Sequence, residues 1–253
     1  MKKLPLYPTL PLPPVQKIPG LDRDEHCTRC SFSSGTPTGQ RCLSAEGTPG
    51  DILVVGEHPT EVERRLGRPM ASAFGRWFRD VLSRLAPEAK VVWTNAIGCM
   101  PPANTSDSDE AIEACRPYLA RVFEESRPRL VLLLGPEAAL GFLGRSYQPL
   151  SVRTGYGWCF VDDIPVPVFM LPRPAEASRN RLMAKAIYED LKKIIDGKVE
   201  LNVGALYDSY EIIENAEDAE KAWECLNAAP YVATDVETSG MMFESDFRIE
   251  CAL

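Results

Sequence analysis

A doubly wound α/β domain, with a mainly parallel four-stranded sheet and helices on both faces, is what the sequence predicts for residues 23–197. Two observations predict it: strand-length apolar runs, and between them stretches whose apolar residues recur at helical spacing. The run Asp51–Gly56 (DILVVG) predicts a first buried strand. Ala73–Leu85 then carries Phe74, Trp77, Phe78, Val81, Leu82 and Leu85 at helical intervals. Val91–Asn95 (VVWTN) predicts the second strand, and Asp107–Ser126 a helix opened by serine and aspartate capping residues. Leu130–Gly135 is the third strand, Pro136–Leu143 a short helix, Val166–Leu171 the fourth strand and Ala175–Ile195 a closing helix. Strands that alternate with helices pair in parallel and are buried on both faces. Such sheets bind ligands at the carboxyl ends of their strands, here Gly56–Thr60, Asn95–Pro102, Gly135 and Leu171–Pro174.

This domain is flanked on both sides. Residues 1–22 form a proline-rich arm (Pro5, Pro8, Pro11, Pro13, Pro14) expected to be extended. In residues 198–253, Tyr210–Glu214 predicts a strand, Ala216–Leu226 a helix, and Tyr231–Thr234 a strand that leads into Asp235-Val236-Glu237. A further strand begins at Arg248, and the fold is expected to be cut short at Leu253.

Composition narrows the function classes. With 45% hydrophobic and 25% charged residues the chain is ordinary for a globular protein. Its apolar runs are too short to span a bilayer, and the N-terminal prolines break the apolar stretch that a signal peptide requires, so no membrane partner and a cytoplasmic location are expected. The net charge of −8 argues against nucleic acid on average. Locally the balance reverses: Arg64, Arg65, Arg68, Arg76 and Arg79 occur without an intervening acid until Asp80, with Trp77 and Phe78 among them. That segment reads either as a phosphate-binding face or as a solvated helix face.

Eight cysteines without a secretory signal point to metal rather than disulfides for any clustered subset. Cys27-Thr28-Arg29-Cys30 is a CxxC pair, and Cys99 and Cys115 follow downstream. Four thiolates suit zinc or an iron–sulfur cluster, and spacing does not separate the two.

The runs HCTRC, GEHPTEVERRLGRP, TNAIGCMPPAN, EACRPYL and RPRLVLLLG, taken in order, resemble the iron–sulfur (family 4-like) uracil-DNA glycosylases over residues 24–196. The resemblance implies that Cys27, Cys30, Cys99 and Cys115 hold a structural 4Fe–4S cluster. Cys42, Cys159, Cys225 and Cys251 match no ligand position and read as small buried hydrophobes, Cys42 lying nearest the CxxC pair. The family extrudes a base, reads its edge and stabilises the anionic leaving base. On that pattern Glu57 and Glu63 occupy carboxylate positions, and Asn95 is the asparagine whose amide reads the uracil edge. Three positions depart from it. Thr60 replaces a glycine whose backbone freedom helps the loop approach the base. Met70 replaces a stacking phenylalanine, for which Phe74 compensates only if the loop shifts. Arg173 replaces a histidine. These departures favour a degenerate module that binds DNA or serves structure, over an active glycosylase.

In YVATDVETSG, Asp235 and Glu237 stand two apart after an apolar strand, a spacing that lets both approach one Mg²⁺ or Mn²⁺ ion. The segment resembles the first motif of the 3′–5′ exonuclease domain of family-A DNA polymerases, which implies the start of an RNase H-like fold. Glycosylase-like domain followed by exonuclease start resembles the N-terminal region of a bacteriophage-type family-A polymerase. The expected function is therefore a replication-associated DNA-binding region, touching single-stranded or duplex DNA through Arg64, Arg65, Arg68, Met70, Arg76, Arg79, Arg116 and Arg173. The alternatives are an active uracil-DNA glycosylase and a platform for replisome proteins.

Overall fold

The computed structural model describes residues 12–23, 27–34, 42–102, 108–144, 156–161, 164–179 and 181–199, and beyond these 220–221, 223–224, 235–238 and 249–252. The chain divides into two compact units, Met1–Leu201 and Asn202–Leu253.

In the first unit the four predicted strands form the centre of the sheet. They are β2 (Ile52–Gly56), β3 (Val91–Asn95), β4 (Leu130–Leu134) and β6 (Ile164–Leu171). Neighbours pair in parallel, with Ile52 opposite Val91 and Leu130, and Val131 opposite Val168. The sheet has six strands rather than four, in the order β1-β3-β2-β4-β6-β5. The additions are antiparallel edges, β1 (Glu46–Gly47) against β3 and β5 (Tyr156–Val161) against β6, which make the sheet mixed.

Alternation along the central strands divides the core into two faces. Leu53, Val55, Val131 and Leu133 pack against Leu119 and Val122 of α4 (Asp109–Ser126) and Ala138 and Ala139 of α5 (Pro136–Leu143). Ile52, Val54, Leu132 and Leu134 pack on the other face against Trp77, Phe78 and Val81 of α3 (Ala73–Leu85) and Ile187 and Leu191 of α7 (Arg181–Ile195). Helices cover both faces, as the doubly wound pattern requires. Two short helices, α1 (Ser31–Ser34) and α2 (Glu61–Leu66), were not legible in the apolar pattern. The single helix predicted over Ala175–Ile195 is divided into α6 (Glu176–Arg179) and α7.

The predicted proline-rich arm is described from residue 12 onward. It is held to the domain by a bridge from Lys17 to Glu46 and by the Pro13 carbonyl, which accepts a hydrogen bond from Arg68 Nη1 at 2.7 Å. No described helix is long and apolar enough to cross a membrane.

In the second unit β7 (Asp235–Thr238) pairs antiparallel with β8 (Ile249–Ala252), Asp235 opposite Ala252. Asp235 and Glu237 thus lie within a strand instead of following one, and the last strand begins one residue after Arg248. The strands expected at Tyr210–Glu214 and Tyr231–Thr234 fall outside the described residues, as do the side chains of Asp235, Glu237 and Cys251.

Candidate active site

The carboxyl ends of β2, β4 and β6 open onto a cleft of about 290 Å³, lined among others by Glu57, Thr60, Met70, Phe74 and Arg173. Asn95 ends β3 beside it, paired in register with Gly56. A Cβ on Gly56 would lie 2.5 Å from Asn95 Oδ1 and 2.1 Å from Met70 Cε, so only glycine leaves room for those two side chains to converge there. Asn95 is 2% exposed, and neither Oδ1 nor Nδ2 of its amide has a hydrogen-bond partner among the described residues. A buried amide with both polar ends unsatisfied costs folding free energy, and native proteins keep such groups where function requires them.

The first departure from the glycosylase pattern, Thr60, is accommodated without backbone strain. Thr60 has φ −81° and ψ 167°, an ordinary extended conformation that needs no glycine. It caps α2 in a reciprocal box: its hydroxyl accepts from Glu63 N, and Glu63 Oε2 accepts from Thr60 N at 2.8 Å. Thr60-x-x-Glu63 is a readable capping signature, and it also corrects the role expected for Glu63. That carboxylate is 3% exposed and additionally accepts from Ser72 N at 3.3 Å, joining the starts of α2 and α3. Its oxygens accept from Thr60 N, the Thr60 hydroxyl and Ser72 N, which gives Glu63 a structural role at the starts of both helices.

Met70 sits at φ 51°, in the left-handed region that a side chain rarely adopts. Two features hold it there. Gly75 packs so closely that a Cβ would lie 2.6 Å from the Met70 carbonyl carbon. Arg79 donates to the carbonyls of Met70 (Nε, 3.1 Å) and Pro69 (Nη2, 2.8 Å). In that conformation the Met70 methyl and the Asn95 amide oxygen both lie against Gly56. Phe74 lines the same cleft.

Glu57 and Arg173 form the opposite wall. Arg173 Nη1 is 3.4 Å from Glu57 Oε2, and its Nε is 3.2 Å from Glu176. Glu57 Oε1 accepts from the backbone N of Glu137, at the start of α5, at 3.4 Å. Burial pushes the Glu57 carboxyl far above the usual carboxylate range, and the adjoining Glu137 carboxyl adds to the shift while Arg173 opposes it. Glu137 moves the other way: burial works against its charge, but Glu57, backbone and Arg173 keep it ionised. Burial thus favours the neutral form of Glu57, while the groups around Glu137 favour its charged form. Glu137 was missed by sequence reasoning, because a glutamate in the first turn of a helix is commonplace there.

Several arginines expected on a DNA face are elsewhere. Arg68 makes a bidentate pair with Glu46 (2.9 and 3.0 Å), and Arg79 pairs with the same carboxylate while lying 4.2 Å over the Trp93 ring. Arg68 and Glu46 are buried at 9% and 4% exposure. These two arginines brace the interior and do not face DNA. Arg76 is half-buried and lines a separate cavity with Leu12 and Pro13. Arg116 pairs with Glu113 and donates to the Leu140 and Gly141 carbonyls near the end of α5. Arg65 and Arg173 are exposed, and Arg64 pairs with Glu61 on the surface of α2. Glu46 escaped notice because its strand is two residues long and its partners lie 22 and 33 positions away.

A second cavity, of about 380 Å³, is lined by Cys27, Cys30, Cys42, Cys99 and Cys115, together with Arg23, Arg29 and Arg121. The CxxC pair thus meets the thiols from the loop after β3 and from α4. None of these cysteines is in a disulfide. Among the described residues no three histidine, cysteine or acidic side chains are gathered about a single-ion position. The donor set, thiols spread around one cavity with arginines beside them, suits a polynuclear, negatively charged group. Arg23, which sequence reasoning also missed, links the two sites: Nη1 donates to Cys115 Sγ at 3.1 Å, and Nη2 to the Asn95 carbonyl at 2.9 Å. Its guanidinium lies 3.9 Å from the Tyr118 ring centre. Cys159, by contrast, packs against the core and points its thiol at the Val166 carbonyl, as expected of a small hydrophobe. His26 lies outside the described residues.

The model of the uracil DNA glycosylase superfamily matches residues 47–192. A type-4 uracil-DNA glycosylase of Sulfurisphaera tokodaii is 31% identical over 160 residues, which cover 60% of this chain and 72% of the relative. Enzymes of the same name from Pyrobaculum aerophilum (29% over 153 residues, 58% of this chain and 77% of the relative) and Thermotoga maritima (28% over 180 residues, 68% and 89%) are also similar. These names overturn the expectation of a degenerate module at the head of a family-A polymerase and favour a working glycosylase. The family match ends at residue 192 and lends no support to an exonuclease or polymerase part. Spanning more than half of its length, that match shows that the chain belongs to the uracil DNA glycosylase superfamily.

Proposed function

We propose that this protein is a uracil-DNA glycosylase, which hydrolyses the bond between uracil and deoxyribose in DNA. One observation carries the reading: the buried, unpartnered amide of Asn95 at the edge of the cleft. Uracil offers an N–H donor beside a carbonyl acceptor, and an amide supplies the matching acceptor and donor. An extruded base entering the cleft satisfies both ends of Asn95, with Met70 and Phe74 available to cover its ring. Water then attacks C1′ of the sugar, the C1′–N1 electron pair leaves with the base as an anion, and the proton that the water loses passes to solvent, from which the released base regains one. Arg173 supplies positive charge at the cleft wall. Burial favours the neutral form of Glu57, which weakens its hold on that charge, and Glu176 pairs with the other edge of the same guanidinium. Arg173 at the cleft and exposed Arg65 on α2 serve as phosphate contacts.

Cys27, Cys30, Cys99 and Cys115 would hold a 4Fe–4S cluster in the thiol-lined cavity. When bound, the group supplies a rigid cross-link among the N-terminal segment, the loop after β3 and α4. Arg23 carries that rigidity to the Asn95 backbone through its two hydrogen bonds.

The test is release of free uracil from single- and double-stranded oligonucleotides that contain one deoxyuridine. The wild-type protein is expected to leave an alkali-labile abasic site, and Asn95→Ala to leave the strand intact. Folded wild-type protein that releases no uracil, or Asn95→Ala that releases it at the wild-type rate, contradicts the proposal.

A further inference from the structure

Five cysteines, not four, line the proposed cluster cavity, and the fifth has a defined position. Cys42 Sγ lies 2.7 Å from Cys99 Sγ. The proximity is fixed by backbone: Leu43 N donates to the Gly98 carbonyl at 2.8 Å, so the chain entering at Cys42 runs alongside the chain leaving at Cys99. Both cysteines pack with Cys30, Cys115, Phe32 and Ile97 in one small cluster. Thiolates on different irons of a cube are held apart by the cube itself. Two sulfurs in mutual contact can serve only one corner, and either of them can reach the same iron.

We propose that Cys42 is a reserve ligand for the cluster corner held by Cys99. This inference rests on the reading of the cavity as a 4Fe–4S site. The exchange is a ligand substitution with no change of oxidation state. The iron–Cys99 sulfur bond breaks, an iron–Cys42 sulfur bond forms, and the proton lost by the Cys42 thiol is taken up by the Cys99 thiolate. The contact is between Cys42 and Cys99, so it is the corner at Cys99 that is expected to tolerate loss of its cysteine.

The experiment measures iron and acid-labile sulfide in anaerobically purified full-length protein, for wild type, Cys42→Ala, Cys99→Ala, Cys27→Ala and the Cys42→Ala/Cys99→Ala double variant. Wild type and Cys42→Ala are expected to carry about four of each per chain, and Cys99→Ala at least about half of that. Cys27→Ala and the double variant are expected to be nearly empty. Iodoacetamide labelling followed by mass spectrometry adds a second readout: Cys42 reacts in loaded wild type and is protected in loaded Cys99→Ala. Cys99→Ala as empty as Cys27→Ala overturns the proposal. Wild type without iron and sulfide overturns the cluster reading itself, a separate outcome. Should Cys99→Ala fail to fold, the decision passes to the rate at which the visible cluster absorption decays in air. Cys42→Ala is expected to bleach several-fold faster than wild type, and equal rates overturn the proposal.

Discussion

Replacing Asn95 by leucine separates what this residue does for the fold from what it does for the base. The two side chains are similar in size, so the substitution leaves little cavity. In the protein without DNA, the amide's Oδ1 and Nδ2 are both buried and unpaired, and each such group costs about 1–3 kcal/mol. Allowing for imperfect fit beside Met70 and Gly56, Asn95→Leu is expected to raise the unfolding free energy by roughly 1–3 kcal/mol. On the proposed function the same amide makes two hydrogen bonds to uracil in the complex, and their loss at about 1.5 kcal/mol each is expected to lower kcat/KM by roughly 10²-fold. Urea unfolding and uracil release measured on one preparation read both numbers. A variant that is less active and more stable bears out the reasoning. One that loses more than about 1 kcal/mol of stability refutes it, because the amide would then have a structural partner.

Three further outcomes follow from the geometry. Glu46→Ala leaves Arg68 and Arg79 buried without their shared carboxylate, so urea unfolding is expected to show a loss of about 3–5 kcal/mol. Glu57 binds its proton more tightly folded than unfolded, so its contribution to stability is present at low pH and is lost as pH rises above the ordinary carboxylate value. Glu57→Gln cannot ionise, and its stability relative to wild type is therefore expected to increase by more than about 1 kcal/mol between roughly pH 5 and pH 8; a constant difference would place Glu57 as an ordinary carboxylate. Neutralising exposed Arg65 is expected to reduce the salt dependence of DNA binding by about one counterion, whereas Arg79→Gln acts through stability and leaves that slope unchanged.

The central strands were legible because burial on both faces writes them as unbroken apolar runs, such as Leu130–Leu134, closed by glycine or proline. The edges were not. β1 has two residues, too few for any pattern, and β5 carries Gly157 and Cys159 in a run that pairs with the proline-containing start of β6. The position of Asn95 at the end of β3 and the convergence of Cys27, Cys30, Cys99 and Cys115 on one cavity were legible through motif order. The arginine-rich stretch was misread for a physical reason. Charge counted along a local window omits Glu46, which the sheet brings from more than 20 positions away to pair with Arg68 and Arg79. Thr60 was misread in the opposite sense, as a lost glycine, although Thr60 and Glu63 already spelled a helix cap. Buried partners contributed by distant segments, such as Arg23 beneath Asn95, leave no local signal to read.

The central claim is that the unpartnered Asn95 amide is the uracil contact, and the side-chain amide resonance of that residue reports on it directly. In ¹⁵N-labelled protein the resonance is assigned by its disappearance in Asn95→Leu and followed while free uracil is added. A saturable shift with uracil, absent with cytosine, is the predicted result. Uracil binding that leaves the Asn95 amide unmoved, or that is equally tight in Asn95→Leu, would contradict the account.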